Sequence, residues 1–293
     1  MIRNYLRALY RMLYPLLYSR SQFKLFLGVT LRDIDLRMHA LASATDYFSG
    51  FVRPVPVTAP FGHSMLVVAP HQDDETIGCG GALALQVKSG SAASVLLLTD
   101  GADGCEDLGM TRQAMMELRN EESRRAAEVI HMEPPVFLGL PLLAAHFDEA
   151  VTHVRNEILR RTADAVFIPF VLDGHPDHRT ANFILAEALK DIEWNVRVFQ
   201  YEVWGLCVPN VVLVIDDVMD AKIAMLEQFV FANSALDYTN STKGLNMFHS
   251  RMLGAGTCRY AERFFEVPRE EYIDLVTRVR AAAAASAAAE RRG

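Results

Sequence analysis

Between residues 64 and 215 the chain alternates short runs that are apolar at nearly every position with longer stretches of helical period. Ser64–Ala69, Ser94–Leu98 and Ala165–Phe170 are such runs, rich in Val, Leu and Ile. A strand with one wet face alternates apolar and polar residues, so unbroken apolarity predicts strands covered on both faces, as in a parallel sheet. Thr76–Lys88, closed by Gly90, then Met115–His131, Val151–Arg161 and Thr180–Lys190 carry the helical period. Pro134–Leu138 leads into a further short strand, and Val196–Tyr201 and Val211–Ile215 read as late strands. Strands separated by helices of this length imply βαβ crossovers. The expectation is an α/β fold: a three-layer αβα sandwich with a mostly parallel, Rossmann-like sheet over residues 61–270.

The two ends read differently. Arg3, Arg7 and Arg11 recur four apart, Tyr10, Tyr14 and Tyr18 do the same, and leucines fill the spaces between. This pattern predicts a basic amphipathic helix within residues 1–60, followed by a Pro-rich linker, Arg53–Pro60. Residues 271–293 read as a helical, Ala-rich tail, with Ala281–Ala289 a frayed or disordered end.

Charge sharpens this division. Residues 1–32 hold six basic side chains and no acid, so their +6 leaves −13 for the rest of a chain whose net charge is −7. An acidic body excludes nucleic acid as the main partner, because phosphate contacts need clustered Lys and Arg. The basic, Tyr-rich segment suits peripheral contact with the inner face of a membrane. Four scattered cysteines without a CxxC pair fit reduced thiols in the cytoplasm. No run approaches the roughly 18 apolar residues of a spanning helix.

Two polar clusters bring in the chemistry. Pro70-His71-Gln72-Asp73-Asp74-Glu75 follows the first strand, and His175-Pro176-Asp177-His178 follows the Ala165–Phe170 strand. Ligands of open α/β sheets bind beyond the carboxyl ends of such strands. His71, Asp74 and His178 could hold a zinc ion and leave a position open for water, which is the arrangement of a hydrolytic site. Asp73 is then free to act as general base. His175, with Asp177 as the carboxylate orienting its ring, could stabilise a tetrahedral oxyanion.

These residues resemble the LmbE/PIG-L family. The likeness extends from His71-x-Asp73-Asp74-Glu75 and Thr76-Ile77-Gly78-Cys79-Gly80-Gly81 through Thr99-Asp100-Gly101 and Arg119-x-x-Glu122 to the His175–His178 cluster and Tyr201-Glu202-Val203-Trp204. It implies a zinc-dependent de-N-acetylase of N-acetylglucosamine-type sugars, free, glycosidic or lipid-linked. It also implies His71, Asp74 and His178 as zinc ligands, Asp73 as base, and His175 with Asp177 at the oxyanion. Arg119 would reach substrate hydroxyls, the alternative being an ion pair with Glu122. Other readings are hydrolysis of a different N-acyl amide, or a non-catalytic metal-binding subunit. Two departures stand out: Gln72 replaces the family's usual Pro, and Leu140-Pro141-Leu142-Leu143 stands where many relatives have Pro-Asp-Gly. Tyr201-Glu202-Val203-Trp204 reads either as a sugar-stacking edge or as strand core with a polar end. The glycines at 78, 80 and 81 evoke a dinucleotide loop. Acids precede them and would repel a pyrophosphate, so close packing of the helix on the sheet is the better reading.

Overall fold

The computed structural model describes residues 54–290, apart from 206 and 255 and the side chains of 285–290. The basic helix and the membrane contact expected of the N-terminal segment lie outside the described residues. The described residues belong to one compact unit.

Eight strands make one sheet: β1 (Val55–Val57), β2 (Ser64–Ala69), β3 (Ala92–Thr99), β4 (Val136–Leu140), β5 (Ala165–Pro169), β6 (Arg197–Tyr201), β7 (Val211–Val214) and β8 (Ala261–Pro268). Their spatial order is β1-β7-β8-β6-β5-β2-β3-β4. β2, β3, β4, β5 and β6 are parallel, as the unbroken apolar runs predict. β8 runs antiparallel to both β6 and β7.

Double-sided burial is visible residue by residue. Leu66 and Val68 of β2 enter the core on one face, and Met65, Val67 and Ala69 enter it on the other. Of helices α1 (Asp74–Lys88), α2 (Arg112–Val129) and α5 (Met219–Leu226), α5 packs against both of the others. The core they share with the sheet includes Leu83, Ala126 and Met225. α3 (Phe147–Arg161), α4 (Pro176–Leu189) and α8 (Arg269–Glu290) contribute to the core of the other face. Two short helices, α6 (Val230–Ala235) and α7 (Tyr238–Ser250), complete the chain between α5 and β8.

Val55–Val57, placed in the linker, is an edge strand paired with Val211–Leu213. Pro56 is tolerated there because an edge strand need not donate on both sides. The tail expected from residue 271 belongs to the core: Tyr272, Val276 and Val279 of α8 are buried. The backbone of Ala281–Ala289 is helical. The Tyr272 hydroxyl donates to Asn182 Oδ1 at 2.8 Å, and Asn182 Nδ2 donates to His178 O at 2.8 Å. α8 thus braces the helix that carries a site histidine.

The antiparallel β8 was not foreseen. Its side chains tie distant parts together: Arg263 donates to both carboxylate oxygens of buried Glu202, at 3.0 and 2.6 Å, just past the end of β6.

Candidate metal centre

β2 and β5 are neighbours in the sheet, but the chain leaves β2 toward β3 and β4 and returns to β5 on the opposite side. This reversal opens a crevice beyond the carboxyl ends of the two strands. Both polar clusters emerge there. His71, Asp73, Asp74, Arg119, His175 and Asp177 line one cleft of about 250 Å³, and His178 is fully buried.

The first cluster turns sharply at Asp73, whose φ is +116°. A residue other than glycine held there costs on the order of 1–3 kcal/mol, and such positions cluster at functional sites. The turn is held by bonds from Thr76 N and Ile77 N to Asp73 O, both 2.9 Å. Asp73 N in turn donates to Glu75 Oε2 at 3.1 Å. As a result two successive carboxylates, Asp73 and Asp74, face the same cleft.

Asp74 Oδ2 stands 3.2 Å from His71 Nδ1 and 3.2 Å from His178 Nε2. Bonds of about 2.0–2.1 Å to a tetrahedral ion would separate its ligands by about 3.3 Å. The second nitrogen of each ring also meets a carboxylate. His71 Nε2 is 3.2 Å from Asp177 Oδ2, and His178 Nδ1 is 3.1 Å from Asp173 Oδ1. Carboxylates on the outer nitrogens fix ring tautomers in metal sites. His178 is the sharper test of fit. Both its nitrogens are buried without a partner in hydrogen-bond geometry, although acids lie beside them. A cation between His178 Nε2 and Asp74 would satisfy both. The donor atoms of His71, His175 and His178 also lie within 4.8 Å of one another, so this histidine group could hold a metal.

His175 differs from the expectation. Asp177 pairs its carboxylate with His71 and gives His175 only its backbone NH, which donates to Nδ1 at 3.2 Å. The reason is local: His175 caps α4, and the first turn of the helix points Asp177 away from it. The neutral ring therefore carries its proton on Nε2.

Electrostatically, the centre is built for positive charge. Burial disfavours charged imidazoles, yet bonds to Asp177 and Asp74 raise His71 to about 9. Burial likewise opposes charge on His178, but Asp74 and Asp173 raise it to about 10. Burial raises Asp74, and the two histidines more than reverse this, holding it well below the ordinary carboxylate range. Burial pushes Asp73 up to about 7, with Arg119 opposing. Burial and the two histidines hold His175 below its ordinary value.

Arg119 makes no pair with Glu122, which accepts Phe231 N. Its guanidinium donates to Gln72 O at 2.6 Å and Gly101 O at 3.0 Å, and it reaches Asp73 Oδ2 at 3.3 Å. Gln72, in place of the usual Pro, is buried and donates to Asn120 Oδ1 at 2.9 Å, stitching the loop to α2.

α1 is broken at Cys79, with φ −143° and ψ 25°. The break frees backbone groups, and a fully buried ion pair takes them up. Lys222 Nζ donates to Ile77 O at 2.9 Å, while Glu262 accepts from Gly81 N at 2.7 Å and Ala82 N at 2.8 Å. Lys222 and Glu262 meet at 2.6 Å. The glycines serve packing: a Cβ at Gly78 would collide with the Tyr201 ring, and one at Gly81 with Ile215 and Glu262.

All seven residues expected at the site are thus in or against one cleft. Asp173, Lys222 and Glu262 were missed. Asp173 carried a faint signal, a carboxylate two residues before His175 on the same loop. Lys222 and Glu262 carried none, being distant in sequence.

The architecture is thus an α/β sheet with a histidine–carboxylate cluster at its crossover, whose histidines could hold a metal ion. In the sequence comparison, residues 66–189 match the family described as PIG-L, GlcNAc-PI de-N-acetylase. A diacetylchitobiose deacetylase of Thermococcus kodakarensis is 31% identical over 167 residues, 54% of this chain. The match spans 58% of that relative's length. Among solved structures, the N,N′-diacetylchitobiose deacetylase of Pyrococcus horikoshii superposes with a TM-score of 0.62 at 22% identity, covering 82% of this chain and 96% of that one. The 4-carboxy-2-hydroxymuconate hydratase of Pseudomonas putida gives 0.58 at 22% identity, over 70% and 96%. Both likenesses are of fold.

Proposed function

We propose that the chain is a zinc-dependent de-N-acetylase that hydrolyses the acetamide of an N-acetylglucosamine-type sugar, giving acetate and the free amine. The observation that carries this reading is the arrangement around Asp74: two imidazole nitrogens at 3.2 Å, one of them buried without a hydrogen bond, beside a strained carboxylate in the cleft. The match of residues 66–189 to a family described as GlcNAc-PI de-N-acetylase supports it, as does the 31% identical deacetylase.

His71 Nδ1, Asp74 Oδ2 and His178 Nε2 would hold the ion, with Asp177 and Asp173 orienting the two rings. Bound zinc supplies Lewis acidity for the acetyl carbonyl and an acidified water. Asp73 would take the proton of the attacking water on its carboxylate. A carboxylate raised to about 7 by burial is matched to this task near neutral pH, because it accepts a proton readily and can return it. His175, with Nδ1 engaged by the Asp177 NH, directs its Nε2–H as donor to the developing oxyanion. The proton gathered on Asp73 then goes to the departing nitrogen, so the sugar leaves as the amine. Arg119, held by two backbone carbonyls, keeps Asp73 in place and lines the space for substrate hydroxyls.

Metal content and acetate release test the reading together. Wild-type protein should carry about one zinc per chain and release acetate from N-acetylated sugars. His178→Ala should lose both. A metal-loaded wild type that releases no acetate from any N-acyl sugar would leave a binding subunit. Release of longer acids only would reassign the acyl group. Hydration of an unsaturated acid would move the chain to the chemistry of its hydratase neighbour.

A further inference from the structure

One helix grips two separate parts of the cleft. From α2, Arg119 donates to Gln72 O and Gly101 O, and Asn120 Oδ1 accepts from Gln72 Nε2. These bonds hold the loop that carries Asp73 and Asp74. Glu122 of the same helix turns instead to α6, where its Oε1 accepts the Phe231 NH at 2.9 Å. Residues three apart are neighbours on a helix surface, so Arg119 and Glu122 work from one side of α2. Arg119 also lies over the Phe231 ring, 5.7 Å from its centroid. The spacing between the loop of Asp73 and α6 is therefore set by α2.

α6 depends on such a clamp. It is a helix of 6 residues, too short to hold its shape without tertiary support, and its N-cap, Phe229, gives the first turn no side-chain bond. Its other side-chain bonds stay among near neighbours in sequence. Asn233 Nδ2 donates to Leu226 O and Phe229 O, and Asn233 Oδ1 accepts Thr239 N. Among the described residues, the bond to Glu122 is the hydrogen bond that ties α6 to a distant part of the chain. Glu122 is itself buried, and burial raises its pKa, with the Phe231 NH and Arg119 opposing. What this position supplies is a buried acceptor oxygen at the right reach.

α6 brings Phe231, Ala232 and Ala235 to the lining of the cleft. Their side chains offer neither donor nor acceptor, unlike the histidines, carboxylates and arginine elsewhere in that lining. On the de-N-acetylase reading, on which this inference rests, the apolar part of the substrate beside the reacting carbonyl is the acyl group, and hydroxyls belong with the polar residues. The two alanines leave a recess whose depth changes as α6 moves toward or away from α2. We propose that Glu122, by seating α6 against α2, sets the length of the acyl group that the cleft accepts, which makes it a specificity-determining positioning residue. α6 lies outside the segment of residues 66–189 that matches the family.

The test sets Glu122→Asp against Glu122→Gln. Asp keeps the charge one methylene short of Phe231, whereas Gln keeps an acceptor oxygen at the same reach without the charge. Each variant is compared with wild type on N-acetylglucosamine and N-butanoylglucosamine. One methylene in an apolar site is worth about 10–200-fold, so wild type should prefer the acetyl compound. In Glu122→Asp the acetyl-to-butanoyl ratio of kcat/KM should fall about tenfold, mainly through a lower KM for the butanoyl compound, and Glu122→Gln should keep the wild-type ratio. An unchanged ratio in Glu122→Asp would overturn the proposal whether or not both rates had fallen, as would a ratio lost in Glu122→Gln and kept in Glu122→Asp. Amide hydrogen exchange reads the clamp without turnover. The α6 amides of Glu122→Asp should exchange about tenfold faster than in wild type while those of β2 stay protected. Equal exchange of α6 in the two proteins would sink the clamp even where acetate release upholds the de-N-acetylase. Faster exchange in a protein that releases no acid from any N-acyl sugar would uphold the clamp while the de-N-acetylase reading fails.

Discussion

At the scale of single residues the centre works by giving neighbouring groups of one kind different environments. Asp73 and Asp74 are adjacent, yet burial pushes the first up to about 7 while the histidines hold the second far down. In the proposed mechanism this division makes Asp74 the ligand and Asp73 the proton carrier. The sign of the resulting pH dependence follows directly. A general base works deprotonated, so kcat/KM should fall as pH drops through its acid limb. Because Arg119 pulls Asp73 downward, Arg119→Gln should move that limb to higher pH, measured as a pH–rate profile. Loss of rate with no displacement of the limb would make Arg119 a substrate contact alone. The convergence was legible in the sequence: two short clusters and one helix bring all seven residues to one cleft. The partner of Asp177 was not, because whether a carboxylate faces His71 or His175 depends on how two loops from different strands dock. Sequence spacing within His175–His178 says nothing about His71.

Among the elements, α1 is the informative case. Its apolar spacing predicts a helix over Thr76–Lys88, and a helix is there, but spacing is blind to the break at Cys79. The first turn carries Asp74 and Glu75, with Asp73 as its cap, and the remainder anchors to the sheet. Lys222 from α5 and Glu262 from β8 hold the two pieces at their junction. Both charges are fully buried, and removing one partner of such a pair strands the other in a low dielectric at a cost of about 3–5 kcal/mol. Lys222→Met should therefore destabilise the protein by roughly that amount. Lys222→Met with Glu262→Gln should recover part of the loss. Denaturant midpoints measure the stability, and zinc affinity should weaken in the single variant because the turn bearing Asp74 loses its anchor. The glycine-rich stretch after Glu75 was legible as packing, and Tyr201 against Gly78 shows why.

Seen whole, the molecule is a parallel sheet completed by an antiparallel strand. The parallel part was legible because strands buried on both faces leave unbroken apolar runs. β8 was not, because Ala261–Pro268 mixes Glu262, Arg263 and Glu266 into its length. Those charges look like surface but are consumed by partners inside. Glu202 illustrates this: burial raises it, but His249 and Arg263 reverse the effect and hold it below its ordinary 4.5. A depressed carboxylate stabilises the fold fully above that value and loses its contribution as pH falls through the folded value. Wild type should accordingly lose stability below about pH 4.5. Glu202→Gln, less stable at pH 7, should lose less between pH 7 and pH 4, read from denaturant midpoints at the two values.

The position of β8 also has a consequence for the order in which the molecule can be assembled. By the time His178 has been synthesised, every candidate ligand and the base already exist, and β2, β3, β4 and β5 can pair. Glu262, which clamps α1, belongs to a strand made much later and inserted between β6 and β7. Long-range pairings of this kind form slowly. A nascent chain therefore holds the residues proposed to bind zinc before it holds the clamp on the helix that presents Asp74. Chains stopped at residue 250 should gather secondary structure without retaining zinc through gel filtration, and the full chain should retain it.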